Sequence, residues 1–326
     1  MGGGLGVRWG STPFLAAALL LSGAARAEDE EQATKLPRVY GRVFANATAD
    51  ERSLYERQFN VTDARIGVSA DPFDWLQTVL EVDASSHAPI KDAYGRLRDP
   101  SHRYRLYAGQ FKAPFTARYE ESSWELPLVD RGIADDFLQK AGFTGHRIGL
   151  MIERKAKGKH DLLSFRAAVL QGTDDDAGIH TGEDAAGRVE YRVLKPLTVA
   201  VGGYWGGLTG ATHRHSLTLD STLRLRELRV TAELTHGHAW PGAFSTGTAL
   251  VTYDIPLDDS GDWVLQPVAA AEGIRVPAAT AGYSARAGMN LLMGDTFKVK
   301  LQGEHALRPQ ETWSGKAVTL QFGARF

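Results

Sequence analysis

The stretch RLRDPSHRYR sets Arg96 and Arg98 two residues apart, then Arg103 and Arg105 two apart again. Residues two apart on an extended chain share one face, so the stretch reads as a ladder of guanidinium groups carried on two neighbouring strands. Guanidinium is permanently charged and offers planar donors to oxyanions, so this chemistry binds anions and does not transfer protons. The same alternation puts Arg42, Arg65, Arg147, Arg166, Arg188, Arg192, Arg214, Arg229, Arg286, Lys298, Lys300 and Arg325 on the polar side of their segments. Lys112 closes one such segment. Asp63, Glu81, Asp83, Asp92, Glu153, Glu190, Asp220, Glu233 and Glu304 share that side. Basic groups outnumber acidic ones there, and pairing with Asp63, Asp83 and Asp92 is the competing use of the arginines. The adjacent His215 and Ser216 invite a base–nucleophile reading, but neighbours on a strand point to opposite faces. No enzyme is expected.

The elements that would carry these residues follow from the rest of the sequence. The chain has 326 residues, with 37 Lys and Arg against 39 Asp and Glu. Near-neutral charge gives no reason to expect nucleic acid as a partner. There is no cysteine, which excludes disulfides and thiolate metal sites. No apolar run reaches the length of a membrane helix. The opening residues hold Arg8, an apolar stretch from Phe14 to Leu21 and the small-x-small triplet Ala25-Arg26-Ala27. They predict a targeting signal over 1–27, cleaved after Ala27. The acidic EDEEQATK that follows predicts a disordered periplasmic lead-in over 28–37.

From Arg38 to Phe326 the period is two, in about sixteen segments. WLQTVLEVD sets Leu76, Leu80 and Val82 against Gln77, Glu81 and Asp83, and ELRVTAELTH sets Leu228, Val230, Ala232 and Leu234 against Arg229, Thr231 and Glu233. Tight connections at SADP, KP, RLRE and GDT alternate with long ones, the longest over 113–145. Tyr40, Phe73, Trp75, Tyr104, Trp205, Tyr253, Trp263 and Tyr283 sit near segment ends, where interfacial girdles lie. These features predict a transmembrane antiparallel β-barrel of about 16 strands over 38–326, in a bacterial outer membrane. The alternation of VTLQFGARF runs to the last residue, so Phe326 is expected to end the closing strand and to be read by the barrel-assembly machinery. The glycines Gly67, Gly149, Gly202, Gly282, Gly288 and Gly323 share the inward parity and predict open space inside.

The segments IKDAYGRLRD (90–99) and YRLYAGQFKAPFTARYEESSWELPLVDR (104–131) carry Asp92-Ala93-Tyr94 and then Gly109-Gln110-Phe111-Lys112 before Pro114. This order resembles the phosphate-selective porin O/P family, sixteen-stranded trimeric outer-membrane channels. The likeness covers roughly residues 60–155. It implies a homotrimer, passage of small phosphate-like anions, and a loop after the fifth strand that folds inward as a constriction. Pro114 independently stops the strand, and a loop of such length needs a role. A single short helix is expected within it, from Asp130 to Lys140. Family members are expected to line the constriction with lysines. This loop instead holds Glu120, Glu121, Glu125, Asp130, Asp135 and Asp136 beside Arg118, Arg131 and Lys140. A cation-favouring or general channel, or a plugged structural barrel, therefore stands as the alternative.

Two further clusters remain. Asp174, Asp175 and Asp176 are contiguous and lack the spacing of a calcium loop, so no metal and no cofactor is expected. His213, His215, His236 and His238 flank a tight turn. Centred on Leu225-Arg226, that turn pairs 213 with 238 and 215 with 236. All four then lie outside the barrel at its external rim, where they would meet lipopolysaccharide phosphates, outer-membrane lipid or a divalent metal.

Overall fold

The computed structural model describes residues 36–53, 56–158, 160–172, 182–207, 213–239, 242–276, 280–307 and 314–326. The signal, most of the lead-in and the Asp174–Asp176 run lie outside the described residues.

Sixteen long strands follow one another around a ring. They are β1 (Arg38–Asp50), β2 (Arg57–Phe73), β3 (Leu76–Asp83), β4 (Ile90–Arg98), β5 (Tyr104–Lys112), β6 (His146–Arg154), β7 (Leu163–Gln171), β8 (Glu183–Leu194), β9 (Leu197–Gly206), β10 (Arg214–Leu225), β11 (Leu228–Ala239) and β12 (Gly242–Tyr253), then β14 (Trp263–Val276), β15 (Thr280–Met293), β16 (Phe297–Leu307) and β17 (Gly315–Arg325). The two-residue β13 (Ile255–Pro256) pairs with β14 beside β12. Every pairing is antiparallel, and β1 bonds to β2 on one side and β17 on the other, so the sheet has no free edge. Phe326 extends the closure by exchanging two backbone hydrogen bonds with Gly41.

The distribution of side chains inverts that of a soluble protein. Leu217 is 60% exposed and Leu234 63%, whereas Asp220 is 7% and Lys300 2% exposed. An outward apolar band of this kind is stable only against hydrocarbon, and a closed antiparallel ladder leaves no backbone group unpaired there. No described helix is long and apolar enough to cross a membrane.

Some expectations shift. Tyr40 points inward and its ring covers Gly67, so it belongs to no girdle; Phe73, Trp75, Tyr104, Trp205, Tyr253, Trp263 and Tyr283 are exposed outward. The SADP segment lies in the bulged end of β2, and the turn falls on Asp74 and Trp75. Gly67, Gly202 and Gly323 do not mark open space. Phe44 covers Gly323, and the Phe115 carbonyl sits on Gly202. Small residues here admit rings and backbone from elsewhere in the lumen.

Candidate functional site

The 113–145 segment leaves β5 at Lys112 and returns to β6 at His146. It holds two helices, α1 (Ala117–Glu120) and α2 (Ile133–Lys140). The latter starts three residues later than the sequence implies. Gly132 precedes it with φ of 85°, and a Cβ there would collide with Arg286 and Glu272. Only glycine fits, because φ is positive and the wall is that close.

The loop lies against the inner wall and is fastened on several sides. Phe115, Ile133, Leu138 and Phe143 bury themselves with Tyr204, Phe244, Ile274 and Val276 on the inner faces of β9, β12 and β14. Lys300 Nζ donates to the carbonyls of Leu126 (2.8 Å) and Leu128 (3.0 Å), and Lys298 Nζ donates to that of Trp124. Asn290 donates to the Pro127 carbonyl at 2.7 Å. The Val129 N–H donates to Gln302 at 3.0 Å, and the Ala117 N–H donates to Glu233 at 2.9 Å. Backbone groups that water would otherwise satisfy are thus met by wall side chains.

The loop carboxylates work the same way. Glu120 pairs with Arg166, Glu121 with Arg229 at 3.0 Å, and Asp130 with Arg286 at 2.7 Å. Arg118 bridges Asp135 (2.9 Å) and Glu272 (3.2 Å), and Glu272 also pairs with Arg286. Burial pushes the carboxyls of Glu120 and Asp135 above the ordinary acid range, although Arg166 and Arg118 pull against it. Burial also raises Asp136, and the neighbouring Asp130 charge adds to the shift.

Space remains on the opposite side. A cavity of about 1500 Å³ opens above the loop, and another of about 300 Å³ lies between the loop and the β1–β7 wall. Both are lined by Arg65 and Lys112. At their junction the Tyr119 ring carries Arg131 (5.1 Å from its centroid) and Lys112 (5.9 Å). Lys112 donates to the carbonyls of Glu120 (3.2 Å) and Glu121 (2.9 Å), and Arg131 donates to carbonyls of the same loop. Neither has a carboxylate within 4 Å among the described residues. The same holds for Lys91, bonded to Ser86, and Arg147, bonded to the Gly142 carbonyl, both on the wall of the larger cavity. The junction therefore holds basic groups without a carboxylate in ion-pair contact, the nearest acids in the same cavities being Asp92 and Asp135.

No family model matches this sequence, and neither does any curated protein. Solved structures do match in shape. OmpF of Salmonella typhi, in complex with daunomycin, superposes with a TM-score of 0.69 at 11% identity, over 92% of this chain and 100% of the other. An anion-selective porin from Comamonas acidovorans gives 0.65 at 12% identity, over 89% and 98%. The outer-membrane channel DcaP of Acinetobacter baumannii gives 0.64 at 12% identity, over 92% and 100%. The chain has the porin fold. At such identities the likeness establishes the barrel and not what passes through it.

Within this porin fold the predicted residues take several different places. Arg42, Arg65, Arg98, Arg105 and Arg188 face inward but meet carboxylates: Arg42 meets Asp63 (3.2 Å), Arg65 meets Glu81 (2.9 Å), Arg98 meets Asp71 (2.6 Å), Arg105 meets Glu153 (3.2 Å), and Arg188 meets Asp220 and Glu190. Arg96 instead meets Tyr107 and Gln77. Arg103 and Arg192 lie at the rim of the short turns, reaching Asp161 and the Gly158 carbonyl. Arg286, Lys298 and Lys300 lie under the loop, engaging Asp130 and the carbonyls of Trp124, Leu126 and Leu128. Glu125 is exposed, with Arg325 at 3.6 Å.

The histidine register differs from the expected one. The turn residues are Arg226, at φ of 50°, and Glu227, so His215 pairs with His238 and Leu217 with His236. His213 precedes β10 and lines the larger cavity instead of the outer rim. No three His, Asp or Glu side chains among the described residues assemble as a metal site. Sequence reasoning missed Tyr119, whose position among the loop acids gave no hint of two cations upon it.

Proposed function

We propose that this chain is an outer-membrane porin, a water-filled channel for passive diffusion of small solutes with a preference for anions. One observation carries the preference. Where the two cavities meet, Lys112 and Arg131 are held on one aromatic ring with no carboxylate within 4 Å, and Lys91 and Arg147 line the larger cavity with them. Fixed charge beside a low-dielectric wall acts on a passing ion more strongly than in bulk water. The loop narrows the path by packing on the inner faces of β9, β12 and β14, leaving about 240 Å³ between itself and β8 to β12 and the larger space beside β1 to β7. Phosphate-like anions are the solute class that the resemblance over residues 60–155 favours. Assembly as a homotrimer, contact with lipopolysaccharide and recognition of Phe326 by the barrel-assembly machinery belong to the same reading.

The reversal potential across a planar bilayer with a tenfold KCl gradient tests it. The expected sign favours chloride. A sign favouring potassium transfers control to Asp130 and Asp136, whose side chains face the larger cavity, and establishes the cation-favouring alternative. Refolded barrel without conductance refutes the channel.

A further inference from the structure

The outward corner at the external ends of β8 to β12 is built unlike the rest of the apolar band. Trp205, His215 and His238 are exposed and lie side by side in register. Their rings form a stack: Trp205 and His215 are 5.2 Å apart at 21°, and His215 and His238 are 5.9 Å apart at 13°. One pleat below, the His236 Nδ1 lies 2.9 Å from the Ser245 hydroxyl, and Ser245 is in register with the exposed Arg275. Beneath the stack runs a trough of about 640 Å³, lined by Ala185, Gly187, Gly203, Leu217 and Ala243. A Cβ at Gly203 would meet nothing within 4 Å, so its glycine answers to no packing demand inside the protein. The outward faces of β9 to β12 and β14 present no carboxylate among the described residues.

We propose that this corner binds one phosphorylated lipid of the outer leaflet, with an acyl chain in the Gly187–Gly203 trough and its phosphate on His215, His236, His238 and Arg275. The assignment rests on the outer-membrane reading above. Three features select this occupant. The donors are imidazole and guanidinium, which match phosphate oxygens. The trough below them is apolar and opens onto the hydrocarbon band, which suits a chain and not a soluble anion. The stack sits at the strand ends away from the short turns, at headgroup depth, where an aromatic ring has one apolar and one wet side.

The test uses the refolded full chain and native mass spectrometry, with lipid A carrying both phosphates and the same lipid dephosphorylated as probes. The wild-type barrel is expected to bind the phosphorylated form about tenfold more tightly. The variant with His215→Ala, His236→Ala and His238→Ala loses that preference. Gly203→Phe, which fills the trough, weakens both lipids. Single-channel conductance is unchanged in both variants, because these side chains lie outside the lumen; a failure of the channel reading would show separately, as absent conductance in the wild type. Equal affinity of the wild type for the two lipids overturns the headgroup assignment. A preference that survives the triple substitution overturns the site. A changed oligomer size with lipid binding intact gives the face to a second copy of the chain and overturns the proposal.

Discussion

Lys300→Met should release the lumen loop without unfolding the barrel. The ammonium is buried and donates to two carbonyls, Leu126 at 2.8 Å and Leu128 at 3.0 Å, with Phe44 at 5.4 Å. Methionine keeps most of the stem and volume but donates nothing. Each carbonyl left without a donor costs about 1–3 kcal/mol, so the pair costs about 2–6 kcal/mol. Removing a desolvated charge returns part of that, and a net loss of about 3 kcal/mol is a reasonable middle. The cost falls on the loop, because the strand ladder through β16 is unchanged. A local change of that size raises the open population of the segment roughly a hundredfold. Hydrogen exchange at Val129, whose N–H donates to Gln302 across this segment, reports it directly. The expected result is about hundredfold faster exchange at Val129, noisier and larger single-channel currents, and little change in heat resistance of the barrel. Exchange within about threefold of wild type, with unaltered conductance, would refute the view that buried lysines hold the loop.

Four further outcomes follow from the same geometry. Lys112→Gln combined with Arg131→Gln should move the reversal potential toward potassium, whereas Arg65→Gln should move it less, because Asp63, Glu81 and Asp83 already offset Arg65. The carboxyls of Asp136 and Glu120 are raised by burial, so the folded chain binds protons that a free carboxylate would already have lost. Their charge is therefore neutralised before that of free carboxylates as pH falls, and preference for chloride should grow on acidification; a flat profile counts against their facing the path. Arg188→Ala strands Asp220 and Glu190 in the lumen and should cost about 3–5 kcal/mol, seen as loss of heat resistance on gels. Deleting Phe326 removes two backbone hydrogen bonds to Gly41 and should slow refolding more than it lowers final stability, measured by the rate at which the compact band appears.

The sequence by itself determined the architecture. A strict period of two over long segments, with leucine and valine on one face and charge on the other, admits few solutions once no apolar helix is available. Strand number and the inward parity of Arg42, Arg65, Arg98 and Arg105 were legible because alternation is local. The placement of the long loop after β5 was legible because Pro114 ends the ladder.

The tertiary structure decided everything that depends on partners far apart in the chain. Counting charges made the loop acidic and the wall basic, and the two appeared to oppose each other. In space Glu120, Glu121 and Asp130 fasten the loop to Arg166, Arg229 and Arg286, and Asp135 pairs with Arg118 within the loop, so most of that charge cancels. What remains without an ion-pair partner, Lys112 and Arg131 on Tyr119, depends on contacts between a strand end and a loop that no periodicity encodes. The histidine register turned on the exact turn residues, and moving the turn by one residue moves every pair by two while leaving parity intact. Parity survives because it is a property of each strand alone, whereas register, ion pairing and open volume belong to the closed barrel.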